Sequence, residues 1–170
     1  MKKSLITVIF LISMSASAQF NSLKIRFYPS FIASSSLMID KSGDGYTMQL
    51  KVNNWEEKSR VPDTTAVKLE KFLNNYEFLH KGSTDTIAKK VIQQNGDTLI
   101  QYSILEGTDG IDVYGELKNK STTRTFKFWS PDIETLNHKL IELLFEMMYA
   151  GFTKPDSLEY LEKLKLYFEF

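Results

Sequence analysis

Three groups of residues in this sequence are of types that can do chemistry. The first is Asp40-Lys41-Ser42-Gly43-Asp44-Gly45, with side-chain oxygens at alternate positions and a glycine sixth. An EF-hand calcium loop has ligands at positions 1, 3 and 5, glycine at 6 and a bidentate glutamate at 12. The twelfth position here is Lys51, whose ammonium repels a cation, and the flanks alternate like strands rather than helices. The hexapeptide therefore reads as a polar hairpin turn, with a weaker cation site of another kind as the alternative.

The second group is acidic: Glu106, Asp109, Asp112 and Glu116 around Gly107 and Gly110. Paired carboxylates can hydrolyse glycosides or hold a metal, and the even offset of Asp112 and Glu116 puts them on one face of a strand. Acidic turns are also common as solvated surface. The third group is aromatic and basic. Trp129 and Lys127 alternate with Phe126 and Phe128, so they face the other way, and Tyr114 lies on the preceding strand. On a wet face, Trp129, Tyr114 and Lys127 make a patch of the residue types that anchor interfaces. Under a second layer of helices, Trp129 is core, as large aromatics usually are. The candidate binding residues are thus Trp129, Tyr114, Lys127, Glu106, Asp109 and Asp112.

Other chemistries lack their residues. The chain has no cysteine and only two histidines, His80 and His138. Neither has a second histidine at ligand spacing, whereas zinc needs three or four clustered ligands. His80 falls at the end of a helix, and His138 stands four residues before Glu142 on a helix flank, where an ion pair is natural. Gly43-Asp44-Gly45 lacks the Lys-Ser/Thr of a phosphate loop, and no nucleophile-elbow pattern occurs. No catalytic residue, metal or cofactor is expected. Basic residues are dispersed, and 21 of them balance 21 acidic ones. A neutral chain has no bulk field for nucleic acid, so none is expected as a partner.

The elements that position these groups follow from periodicity. Leu23, Ile25 and Phe27 alternate with Lys24, Arg26 and Tyr28 as in a half-buried strand that Pro29 ends. Residues 36–39 and 47–52 form a hairpin around Gly43. A helix is predicted over residues 63–79, from Leu69, Phe72, Leu73, Tyr76 and Leu79 to a stop at Gly82. Residues 86–93 and 98–105 flank Asn95-Gly96, a strong hairpin signal. Residues 111–117 and 123–129 pair through the Asn119–Thr122 turn. Ser130-Pro131 reads as a helix cap, opening a long helix over about residues 131–149 so apolar that it must be enclosed. Residues 155–166 read as a last helix, although the tail from Lys163 to Phe170 also alternates like a strand. Strands joined by short turns, with helices between runs, imply an α+β domain: an antiparallel sheet of six to seven strands with helices on one face.

The first 18 residues have a separate logic. Lys2 and Lys3 precede the apolar run Leu5–Ile12, and small residues lead to Ala16-Ser17-Ala18. Basic, apolar and small-x-small regions in this order predict a secretory signal peptide over residues 1–18. The run is far shorter than the ~20 residues of a membrane span. The expectation is a bacterial periplasmic or secreted protein with one globular domain over 19–170, cleaved near Ala18, with no membrane span. Without cysteine, neither a lipid anchor nor disulfides are expected. Its expected role is a non-catalytic binding domain for an unknown protein or cell-envelope component. The alternatives are a small envelope hydrolase using the acidic group, or a carrier of a small apolar ligand beside Met147 and Met148.

Overall fold

A computed structural model describes residues 20–75, 86–94, 97–104, 109–131, 133 and 135–168. The strands are β1 (Ser22–Pro29), β2 (Ser35–Ser42), β3 (Gly45–Val52), β4 (Trp55–Arg60), β5 (Thr86–Gln94), β6 (Asp97–Ile104), β7 (Ile111–Lys118) and β8 (Thr123–Trp129). The helices are α1 (Asp63–Asn75), α2 (Leu136–Gly151) and α3 (Pro155–Lys165), followed by a 3-10 turn, Leu166–Phe168. Six strands form one antiparallel sheet in the order β4-β3-β2-β1-β7-β8, and β5 and β6 pair as a separate hairpin. The architecture is α+β, as the pattern of elements predicts.

Alternation decides which face is dry. Leu23, Ile25 and Phe27 of β1, Leu37 and Ile39 of β2, and Met48 and Leu50 of β3 are almost wholly buried on one face, with Ile111, Val113 and Phe128 beyond β1. Against them lie Leu140, Ile141, Leu144, Met147 and Met148 of α2, which carries the most apolar helical surface. Leu69 and Leu73 of α1 and Leu161 and Leu164 of α3 complete the core, and Lys68 of α1 reaches Glu146 of α2 at 2.5 Å. Met147 and Met148 are members of this core.

The turns follow their residues. Ser42 pairs directly with Gly45, and Gly43 at φ 59° takes the left-handed position that the first residue of such a two-residue turn requires. Val52 pairs with Trp55 across Asn53-Asn54, with Asn53 at φ 47°. Asparagine tolerates that conformation, so β4 follows β3 at once.

In three places the structure differs from the sequence reading. The helix expected over 131–149 runs from Leu136 to Gly151. Ser130 is not its cap: at φ 29° it prolongs the β7–β8 ladder, donating its N–H to Ile111 O at 2.9 Å and accepting the Ile111 N–H on Oγ at 3.0 Å. The cap is Thr135, whose hydroxyl accepts the His138 N–H at 3.2 Å. His138 is not on a polar flank either. It is 1% exposed, and Nε2 donates to Phe168 O at 3.0 Å, while Nδ1 stands 3.7 Å from Glu142 Oε1. Finally, β4 has no apolar alternation. Its inward position is Glu57, which is 5% exposed. The predicted helix over 63–79 is described as far as Asn75. Tyr76, Leu79, His80 and Gly82 lie outside the described residues.

Glu57 is buried with partners. Its carboxylate accepts the N–H of Thr153 at 3.0 Å and of Lys154 at 3.2 Å, at the N-terminus of α3. That is where a helix offers unsatisfied amides and the positive end of its dipole. Burial pushes this carboxyl up, but the Ser157 hydroxyl, the two amides and the Lys154 charge together hold it below the usual glutamate range. On the neighbouring strand, close to the β2–β3 turn, the Tyr46 hydroxyl bonds Phe20 O at 3.1 Å and Glu70 Oε1 at 2.7 Å. Burial and the Glu70 carboxylate raise this phenol well above the ordinary tyrosine value.

Candidate interaction face

The face of the sheet opposite the helices takes the other set of alternating side chains. Backbone register arranges those of β1, β7 and β8 in rows. Tyr28, Asp112 and Trp129 form one row, Arg26, Tyr114 and Lys127 the next, and Lys24, Glu116 and Thr125 the third. Within a row, neighbours are about 4.8 Å apart across the strands. The predicted trio of Trp129, Tyr114 and Lys127 is therefore brought together, with Asp112 between Tyr28 and Trp129.

The side chains touch as the rows require. Tyr28 is 44% exposed and Tyr114 38%, and their rings meet edge to face with centroids 5.4 Å apart. Lys127 Nζ lies 4.9 Å from the Tyr114 ring centre and 3.3 Å from Asp112 Oδ1. Tyr114 first, and then Asp112, hold the ammonium above the ordinary lysine value, against some burial. Trp129 is half-buried rather than core. Its indole rests over Gly110, where a Cβ would overlap the ring. Ser30 Oγ fixes that glycine by donating to its carbonyl at 2.9 Å. The same device recurs on the inner face, where the Phe126 ring fills the space a Cβ on Gly115 would need.

The acidic group is dispersed. Asp112 and Glu116 share a face, but four residues of extended strand separate their Cα atoms by about 13 Å, with Tyr114 between them. Each has a lysine: Asp112 has Lys127, and Glu116 has Lys118 at 2.9 Å. Lys118 first, then Lys24 and Arg26, keep the Glu116 carboxyl below the usual range. Asp109 is exposed just before β7, and Glu106 lies outside the described residues. Asp40 and Ser42 of the calcium-like hexapeptide belong to β2, and Asp44 to the turn.

Shallow depressions occur on this face. One of about 140 Å³ is lined by Lys24, Arg26, Tyr114, Glu116 and Thr125, and one of about 380 Å³ by Met38, Asp40, Thr47, Gln49 and Lys58. Sequence reasoning missed Arg26 and Tyr28 as members of the face. The β1 alternation does show which way they point. That β1 lies beside β7 is set by a pairing of residues far apart in the chain. Among the described residues no helix is long and apolar enough to cross a membrane, and no group of three histidine, aspartate or glutamate side chains is placed to hold a metal. No known protein family, curated protein or solved structure matches the chain.

Proposed function

We propose that this chain is an exported, non-catalytic binding domain that holds a protein or cell-envelope component on the open face of β1, β7 and β8. The carrying observation is the pair of rows Tyr28–Asp112–Trp129 and Arg26–Tyr114–Lys127. They present two exposed tyrosines and a half-buried tryptophan among charges of both signs on a regular sheet, where the backbone fixes their spacing. Aromatic and arginine side chains on a rigid support are the usual anchors of an interface. Export rests on the basic, apolar and small-residue order of residues 1–18. A hydrolase would use the same carboxylates. Asp112 and Glu116 stand four residues apart on one strand with Tyr114 between them, so no cleft lies between the two, and each carboxylate is paired with a lysine.

The test is retention of envelope components on immobilised protein, comparing the native chain with Trp129→Ala and Tyr114→Ala. A component held by the native chain and released by both variants, with circular dichroism unchanged, supports the reading. Identical retention by all three proteins rejects this face.

A further inference from the structure

β4 and β8 are the two edges of the main sheet, and they are finished differently. On β4, Lys154 Nζ donates to the carbonyl of Glu56 at 3.1 Å, and most of the strand's side chains are charged. Both features discourage another strand from adding. On β8 the backbone phase can be read from the ends of its ladder with β7. Asn119 N–H bonds Thr122 O, and Ser130 N–H bonds Ile111 O, both at 2.9 Å. Hydrogen-bonded pairs alternate along an antiparallel ladder. Arg124, Phe126 and Phe128 therefore commit their N–H and C=O to β7, while Thr123, Thr125, Lys127 and Trp129 turn theirs outward. Among the described residues no strand pairs with that side of β8. The strand carries no proline, and its register with β7 is unbroken. An edge of this kind is a template for strand addition.

We infer that the added strand is β8 of a second copy of this chain, antiparallel about a two-fold axis at Phe126. The outward-turned residues are symmetric about that position. Thr125 then faces the second copy's Lys127, and Thr123 faces its Trp129. Every outward donor and acceptor of the strand is used, and neither strand overhangs. An axis at Thr125 would leave Trp129 opposite residues beyond the strand. An axis at Lys127 would set two ammonium groups directly opposite, which destabilises a strand pair. The contact is self-complementary and closed, as a two-fold interface must be. It joins two sheets edge to edge and brings two aromatic faces onto one surface. It stands independently of what that face binds.

The experiment uses the purified chain. Sedimentation velocity over a range of concentrations is expected to show a dimer. Thr125→Pro removes an outward N–H without touching the β7 ladder, a position where an edge strand tolerates proline. It is expected to give a monomer with unchanged circular dichroism that still retains any component held through Trp129. The chain has no cysteine of its own, so Thr125→Cys and Lys127→Cys report the register. Residues in a hydrogen-bonded antiparallel pair have Cα atoms about 5.5 Å apart, within disulfide reach. Mild oxidation of an equal mixture is expected to give the mixed disulfide dimer well above either homodimer. A native chain that stays monomeric throughout overturns the inference. So does a dimer indifferent to Thr125→Pro, or cross-linking that favours either homodimer.

Discussion

Lys127 of β8 stands directly opposite Tyr114 of β7, with its ammonium 4.9 Å from the centre of the ring. The same ammonium also reaches Asp112. A cation over an exposed ring contributes about 0.5–1 kcal/mol. A double-mutant cycle with Lys127→Ala and Tyr114→Ala, read by urea denaturation at neutral pH, should show coupling of that order. Tyr114 and Asp112 raise the folded pKa of this lysine. Its contribution is therefore fully present below the ordinary lysine value and lost as pH rises through the higher folded one. Additive single effects at neutral pH would mean that the contact carries no energy.

Glu57 gives the opposite sign. Its folded carboxyl lies below the usual range because the Ser157 hydroxyl and the amides of Thr153 and Lys154 outweigh its burial. The stabilisation is present above the ordinary glutamate value and lost as pH falls through the lower folded one. Glu57→Ala leaves two amides unsatisfied and should cost about 1–3 kcal/mol at pH ~7. Glu57→Gln keeps an acceptor but loses the charge, so its stability should fall less steeply in acid than the native chain's. Parallel acid profiles for the native chain and Glu57→Gln would remove this carboxylate as the cause.

Gly115 lies beneath the Phe126 ring, where a Cβ would overlap it. Overpacking of this kind costs about 1–3 kcal/mol. Gly115→Ala should lower the thermal midpoint, and Phe126→Leu added to it should restore part of the loss. A midpoint unchanged by Gly115→Ala would show that the ring moves aside freely.

Thr135 and Ser130 separate two roles that look alike in sequence. Thr135→Ala removes the α2 cap and should cost about 1 kcal/mol. Ser130→Ala instead frees the Ile111 N–H at the end of the β7–β8 ladder. Ser130 serves Ile111 of β7 and Thr135 serves His138 of α2, so the two losses should add in the double variant. Strong coupling in denaturation would place both residues in one structural unit.

What was legible in the sequence was local. The alternation of Leu23, Ile25 and Phe27, the turn at Gly43, and the Asn119–Thr122 link between β7 and β8 each state their own geometry. The opposite orientation of Trp129 and Phe128 follows from the same rule. β4 was illegible because its inward residue is Glu57, and a buried carboxylate makes sense only once Thr153 and Lys154 are beside it. Ser130-Pro131 has the composition of a helix cap. The demand of Ile111 for a ladder partner overrides that local preference. The acidic group and the aromatic trio were both visible as residue types. The neighbours Tyr28 and Arg26 enter the face only through the β1–β7 pairing.

The clasp between Glu57 and α3 also sets the order in which the molecule can be completed. A chain made from its N-terminus has the whole β1–β4 meander long before residue 153 exists. Until then, the inner surface of that meander holds an ionised group with no amides to receive it. Helix α3 thus closes the sheet at β4, and a fragment ending short of Thr153 is expected to be cut near β4 in limited proteolysis while the native chain resists there.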